Sequence, residues 1–449
     1  MNSMNRIFRP TKPISKYVTY KPNEFMSNSQ KLMIELGLIR QSANGLFHFL
    51  PFAQRSLEKL TSIINKSMVG IGAQKISMPV LVKCDLWKKT DRLNSNIEDL
   101  FTVTDRKDKE YLLSPVMIIF KVQYLKLTHE EVVTDLFCSD PVTYKKLPLL
   151  LYQIGTKFRD ERRPKLGIIR SKEFIMKDLY SFDRDEKSAV QTYNSVCQAY
   201  EDIFNHIGVK YIKVEGASGM MGGSHSNEFH FPAEVGDDTL LQCRKCSYGI
   251  NKEIPREFSK CPLCSSIDII STKAIEVAHT FLLGTFYSKA LKAVFSDEDG
   301  SLKFPFMGSY GIGVSRILGA SLESLSTQDE IRWPYSLSPF TVCIIPAKEG
   351  SIEEFSSNDK LNYLYTSLVE IFGDEVIVDD RNNMTIGKRF IEAKKLGFPF
   401  IITLGQKINL DPALFELYDI SSKNSNYYEL NELLNVVKNH HIRLSKVYN

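Results

Sequence analysis

The sequence predicts an α+β protein, with an antiparallel sheet flanked by helices and then a small α/β domain. Three observations predict it. Within 25–70, Phe52, Leu57, Leu60, Ile63, Ile64 and Met68 recur at the spacing of one helix face, so this stretch reads as helices. From 111 to 320, apolar strand-like runs alternate with charged loops, as in an antiparallel sheet with helices packed on it. Beyond the linker marked by Trp333-Pro334 and Ser338-Pro339, apolar runs at 340–345, 375–378 and 398–404 are separated by helical stretches. That last alternation predicts a mostly parallel sheet.

The elements follow in order. The first acidic residue is Glu24, and before it stand Arg6, Arg9, Lys12, Lys16 and Lys21 among serines and threonines. A basic, acid-free start has the composition of an organellar transit peptide, and no apolar stretch follows it as a secretory signal would require. Residues 1–22 are therefore expected to be a leader, with a floppy cationic tail as the alternative. Next come the helices of 25–70, and then a short strand over 75–79 closed by Pro79. Domain boundaries are expected at 23–335 and 336–449.

The chain's 449 residues leave room for two to four domains. Its 43% hydrophobic and 24% charged residues exclude wholesale disorder and a collagen-like chain. No apolar run approaches the ~18 residues of a membrane span. There are 57 basic and 53 acidic side chains; setting the five leader cations aside leaves 52 against 53. The body is thus neutral, and any nucleic-acid contact must come from a local patch.

Eight cysteines are present. Cys84, Cys138, Cys197 and Cys343 are isolated in apolar surroundings and read as small buried hydrophobes. The other four form Cys243-x2-Cys246-x14-Cys261-x2-Cys264, the spacing of a zinc ribbon. Four thiolates would bind a structural Zn²⁺ and staple the segment 240–270, which is too small to have its own core. Reduced cysteines left from an ancestral site are the alternative.

Two segments carry chemistry. Phe158-Arg159-Asp-Glu161, a polar loop, and Arg170-x-x-x-Phe174 would bring Arg159, Glu161, Arg170 and Phe174 onto one sheet surface. Arg159 offers a fork for a phosphate and a carboxylate together, and Arg170 can take another phosphate. Glu161 can accept from an adenine amino group, and Phe174 can stack on a purine. Alone, this stretch could equally be a salt-bridged hairpin. The second segment is Gly308-Ser-Tyr-Gly-Ile-Gly-Val-Ser-Arg316, read as a glycine-rich turn feeding a helix. Gly311 and Gly313 would let the backbone approach a nucleotide, and Arg316 adds a cation for its phosphates. A dinucleotide fingerprint fails, because Arg316 stands where its last glycine would be.

Together these segments resemble motifs 2 and 3 of the class II aminoacyl-tRNA synthetases. The helix before the strand ending at Pro79 resembles motif 1, which lies at the dimer interface in that family. Leu127-Thr-His-Glu-Glu131, Tyr152-Gln-Ile-Gly-Thr-Lys-Phe158, Met221-Gly-Gly-Ser-x-Ser-x-Glu-Phe229, Glu276-Val-x-His279 and Val378-Asp-Asp-Arg381 narrow the resemblance to the prolyl-tRNA synthetases, collinearly from about 25 to 435.

The resemblance implies ATP, proline and tRNA(Pro) as substrates, Mg²⁺, a homodimer, no membrane and a mitochondrial matrix location. It assigns Arg159 and Arg316 to catalysis. ATP would be held by Arg159, Glu161, Arg170, Phe174, Glu276, Gly311, Gly313 and Arg316. Thr128, Glu130, Arg159, His279 and Ser309 would hold proline, with Glu130 at its ammonium and His129 structural. Thr128-x-x-Glu131 also fits a capping box, and both roles can coexist. Phe281 is either pocket wall or core. The C-terminal domain would read the anticodon with Arg381, Lys388, Arg389 and Phe390.

Two departures stand out: Asn227 replaces a usual His, and about 45 residues at 230–275 leave no room for the editing domain of many bacterial relatives. Two other functions compete. A non-catalytic tRNA-binding paralogue should have lost one of Arg159, Glu161, Arg170 and Arg316, and all are present. A threonine or serine enzyme of the same subclass would need polar groups beyond the anionic clamp at Glu130.

Overall fold

The computed structural model describes residues 1–11, 26–90, 100–113, 129–216 and 225–447. Thr128 and the segment 221–224 lie outside them.

The first large layer is a nine-stranded sheet. Leaving aside β1, which belongs to the second sheet, its strands are β2 (Gln74–Lys75), β3 (Leu149–Phe158), β4 (Glu173–Asp183), β5 (Ile212–Glu215) and β6 (His225–Pro232). After these come β7 (Asp238–Cys243), β8 (Gly249–Asn251), β9 (Ile269–Gly284) and β10 (Phe306–Gly313). The order across the sheet is β6-β5-β8-β7-β9-β10-β4-β3-β2, with β6 also paired to β9. All pairings among β3, β4, β9 and β10 are antiparallel, as the alternation of apolar runs and charged loops predicts. The longer helices are α1 (Asn28–Glu35), α2 (Pro51–Gly70), α3 (Glu130–Phe137), α4 (Glu186–Ile207) and α5 (Val314–Leu325). Helix α4 starts at a reciprocal Asp185–Ser188 capping box and ends at Gly208 in the left-handed region.

The C-terminal domain has a six-stranded sheet whose first strand is β1 (Asn2–Ser3). The others are β11 (Val342–Ile345), β12 (Val376–Val378), β13 (Phe400–Thr403), β14 (Phe415–Asp419) and β15 (Asn424–Tyr428). β1, β12, β11 and β13 run parallel, and β14 and β15 add an antiparallel edge. Helices α6 (Glu354–Phe372), α7 (Ile386–Leu396) and α8 (Leu430–Val447) alternate with them. Gly397 caps α7 at φ +77, and a Cβ there would lie 2.4 Å from the Ile331 carbonyl oxygen. The linker therefore packs against bare backbone at that point.

Several elements differ from the sequence reading. The stretch 25–70 is not continuous helix, because a hairpin (Ile39–Ala43 and Leu46–Phe49) separates α1 from α2. Gly45 at its turn takes φ +78, a conformation that favours glycine. The strand expected at 75–79 is paired only at Gln74–Lys75. The glycine run is not a turn but the central strand β10, which enters α5 directly. Cys138 is exposed, unlike buried Cys84, Cys197 and Cys343. Residues 2–9 do not precede the fold as a free leader. Asn2 and Ser3 pair with Ile377 and Val378, Met4 is buried, and Arg9 donates to Glu392 at 3.0 Å. Sequence distance hides that edge pairing.

Helix α2 joins the two domains. Phe52 is fully buried and meets Phe340 and Phe398 edge-on, each at 5.9 Å. Arg55 lies over the Phe340 ring and donates to the Pro339 carbonyl, while Lys59 pairs with Glu375. Losing a buried Phe typically costs ~3–5 kcal/mol. Phe52→Ala is accordingly expected to lower unfolding stability by about that amount in urea titration. A loss under about 1 kcal/mol would show that α2 does not carry the junction.

Candidate active site

The registers of β3, β4, β10 and β9 place the candidate residues on one sheet face. Gln153 opposes Asp178, Asp178 opposes Gly311, and Gly311 opposes His279. One step along the same face, Tyr180 opposes Ser309, and Ser309 opposes Phe281. In the other direction Met176 lies between Gly155 and Gly313, and Phe174 opposes Lys157. Gly155, Gly311 and Gly313 thus mark a glycine-bearing strip, in which the Met176 side chain lies between Gly155 and Gly313 and reaches over Gly311. From Phe174 to Tyr180 the strip runs six residues, roughly 20 Å at ~3.3 Å each. A Cβ on Gly311 would meet the Met176 methyl at 2.3 Å.

Three guanidinium groups gather at the Phe174 end. Arg159 is only 4% exposed and stands over the Phe174 ring, 5.2 Å from its centroid. Burial and neighbouring Arg316 pull its pKa below the ordinary arginine value. Arg316, on the first turn of α5, donates to the carbonyls of Ile169 and Glu276, both at 3.0 Å. Arg170 forms a two-pronged pair with Glu161 at 2.8 and 2.9 Å and reaches Asp237 at 3.1 Å. The salt-bridged hairpin and the cationic site are therefore one structure. Glu161 stays below the usual carboxylate range despite burial, because Arg170 and the Arg163 N–H donate to it.

Across the strip, β9 carries a bulge: Phe229 opposes Ala278 but His230 opposes Glu276, leaving Val277 extra. This brings Glu276 to the side of His279, whose Nδ1 lies 2.7 Å from it and whose Nε2 lies 2.5 Å from Ser226 Oγ. His279 stacks on Phe281 at 3.9 Å, so Phe281 is wall as well as core. Glu228 lies 3.4 Å from His279, and ligand atoms of Glu228, Glu276 and His279 come within 4.8 Å of one another. Burial pushes the nearby Asp238 carboxyl up to about 6, with Glu276 and Glu228 adding to the rise.

At the other end, Ser309 donates to fully buried Glu130 at 2.9 Å. Helix α3 begins there with His129 as N-cap and no side-chain capping bond, while Glu131 accepts from Thr90 at 2.7 Å.

Sequence reading missed Ser226 and Glu228, although Ser226-x-Glu228-x-His230 shows polar residues at strand period in an apolar frame. Asn227 points the other way and donates to Tyr193 at 2.6 Å, so its departure falls behind the sheet.

The C-terminal candidates are not one surface cluster. Arg389 is fully buried and donates to the Asp379 and Pro346 carbonyls at 2.7 Å. It cannot meet a base, contrary to the sequence expectation. Phe390 is half-buried against Tyr418. Arg381 is clamped by Asp379 and Glu392, and Lys388 is exposed on the first turn of α7.

The four knuckle cysteines converge, with Cys243–Cys264 sulfurs 3.5 Å apart and Cys246–Cys261 sulfurs 3.4 Å apart. The two turns share one plan. Cys243 and Cys261 each accept a backbone bond from the residue four on, Ser247 and Ser265, which both take φ near +60. Backbone N–H groups of Lys245 and Cys246 point at the Cys243 sulfur, and those of Leu263 and Cys264 at Cys261. Paired knuckles with amides aimed at sulfur fit a tetrahedral Zn²⁺ bound by thiolates.

Comparison with known proteins agrees with this geometry. Residues 120–325 match the model of the tRNA synthetase class II core domain (G, H, P, S and T), and 341–440 match the anticodon binding domain. The chain is 41% identical over 423 residues to the probable mitochondrial proline–tRNA ligase of Homo sapiens, covering 92% of this chain and 86% of the relative. It is 34% identical to the proline–tRNA ligase of Ehrlichia ruminantium, covering 93% and 96%. In fold it resembles the Cryptosporidium parvum prolyl-tRNA synthetase complexed with L-proline and AMP, with TM-score 0.74, 16% identity, and 94% and 76% coverage. The Giardia lamblia prolyl-tRNA synthetase in complex with prolyl-adenylate matches with TM-score 0.74 and 17% identity, covering 94% and 80%. With its site residues on one face of a class II core, the chain belongs to the proline–tRNA ligase family.

Proposed function

We propose that this chain activates proline with ATP, releasing pyrophosphate, and passes the prolyl group to the terminal ribose of tRNA(Pro) in mitochondria. One observation carries the reading: a glycine-bearing strip of sheet with a buried carboxylate at one end and three guanidiniums at the other. Glu130, set by Ser309, meets the proline ammonium. Arg159 bridges the proline carboxylate and the α-phosphate, and Phe174 stacks on adenine. Glu161 accepts from the adenine amino group, and Arg170 exchanges its present carboxylates for phosphate. Arg316 spends two N–H groups on carbonyls and has others for the phosphates. The proline carboxylate is already ionised, so attack on the α-phosphorus needs no general base. Catalysis is positioning and charge stabilisation. Glu276 and Glu228 would hold Mg²⁺ brought by the ATP substrate, and the ion would supply neutralisation of phosphate charge.

Lys388 and Arg381 are the cations we assign to the anticodon. Exposed Val69, Val80 and Leu81, around the end of α2 and the strand after it, support a homodimer through this region. Zn²⁺ in the knuckles would hold the insertion in place of a core. Among the described residues, no helix is long and apolar enough to cross a membrane. The mitochondrial address rests on the basic composition of 1–22 and on relatives so named.

Three measurements test these assignments. Arg159→Ala should lower kcat for aminoacylation about 10²–10³-fold, comparable to losing an oxyanion donor, and Arg159→Lys should not rescue it. Near-normal activity in either variant would remove Arg159 from the mechanism. Native mass spectrometry should find one zinc per chain and a mass twice 51.3 kDa; a metal-free monomer would contradict both assignments. Deleting residues 2–20 should strand the chain in the cytosol, and unchanged import would show that this segment does not carry the address.

A further inference from the structure

On the same sheet face, reaching toward the Glu130 end of the strip, lies a buried polar network that the chemistry above does not use. His129, Lys157, Asp178 and Tyr180 are each 1% exposed or less. Lys157 Nζ lies 2.9 Å from His129 Nδ1 and pairs with Asp178 at 3.0 Å. The His129 ring also bonds to the Pro79 backbone. Asp178 also accepts from Gln153 and from Tyr180, both at 2.9 Å, and Gln153 accepts from the Met78 N–H at 3.0 Å. The Tyr180 hydroxyl in turn accepts the His129 backbone N–H at 2.7 Å.

His129 is thus held at its backbone and at its ring, by groups on β4, on β3 and on the segment after β2. It is the residue immediately before Glu130. A buried ammonium and carboxylate are costly to keep in an apolar sheet unless each is paired and hydrogen-bonded. Here the ammonium's further donor bond goes to the imidazole, which fixes one tautomer and one ring orientation.

We propose that His129 and Lys157, locked by Asp178 and Tyr180, are positioning residues that fix the Glu130 carboxylate for the proline ammonium and so set affinity for the amino acid rather than for ATP. The inference rests on the proposed role of Glu130. Burial holds the imidazole neutral, lowering its pKa to about 4, which suits an acceptor for the Lys157 ammonium.

Pyrophosphate exchange on variants of the full chain separates the possibilities. His129→Leu is expected to raise the proline KM about 10–100-fold and leave the ATP KM within about threefold, as for a displaced reacting group. His129→Gln can accept from Lys157 and donate to Pro79, and should return the proline KM to within about fivefold of wild type. An equal rise in both KM values, or none, would overturn the inference. Tyr180→Phe removes one oxygen and keeps the packing, so it answers the question even if His129→Leu does not fold. Its proline KM should rise about threefold or more with the ATP KM unmoved, and an unmoved proline KM would overturn the role. Glu130→Gln is the control for the underlying reading. An unchanged proline KM there would remove Glu130 from the pocket. A raised value there, with the His129 and Tyr180 variants normal, would overturn only the positioning role.

Discussion

The constraint on which the rest of the site depends is the convergence of three like charges in a place with little water. Arg159, Arg170 and Arg316 repel one another, and burial strengthens that repulsion. Each is held by a different device. Arg316 is tied to two backbone carbonyls, Arg170 to two carboxylates, and Arg159 to the face of Phe174. Such a site favours binding a polyanion and stabilises charge that grows at its centre during reaction.

The sheet makes this arrangement possible by what it omits. Three glycines on one face thin a strip of the sheet that the Met176 side chain shares. The bulge at Val277 turns Glu276 into the site, and the direct passage of β10 into α5 puts Arg316 beside the last glycine. The two ends of the strip are served by separate supports. The arginines rest on loops and carbonyls, whereas Glu130 accepts from Ser309 on β10 and follows His129, which bonds to the ion pair buried between β3 and β4. Changes at one end can then alter one substrate's binding without disturbing the other.

Much of this was legible beforehand, and particular residues show why. Arg159, Glu161, Arg170 and Arg316 were legible through spacing, Phe158-Arg159-x-Glu161 and Arg170-x-x-x-Phe174 in one segment and a glycine run ending at Arg316 in the other. Helix α2 announces itself by period. Arg389 was misread because a basic residue beside an exposed lysine resembles a surface patch, while its guanidinium satisfies carbonyls on two other segments. The glycine run was read as a turn because glycine usually marks one, and here it marks close approach within a strand. The docking of residues 2–9 depends on pairing across more than 370 positions, which no local pattern records. The second-site carboxylate Glu228 became visible only when the β6–β9 register set it beside His279.

The central claim is that the strip binds proline at the carboxylate end and ATP at the cationic end, and joins them there. Pyrophosphate exchange with a panel of twenty amino acids tests it most directly. The account predicts rapid exchange with proline, exchange with alanine slower by about 10–200-fold because a smaller apolar analogue can only be disfavoured that far by binding, and none with threonine or serine. Exchange driven by threonine or serine, or no exchange with any amino acid, would contradict it.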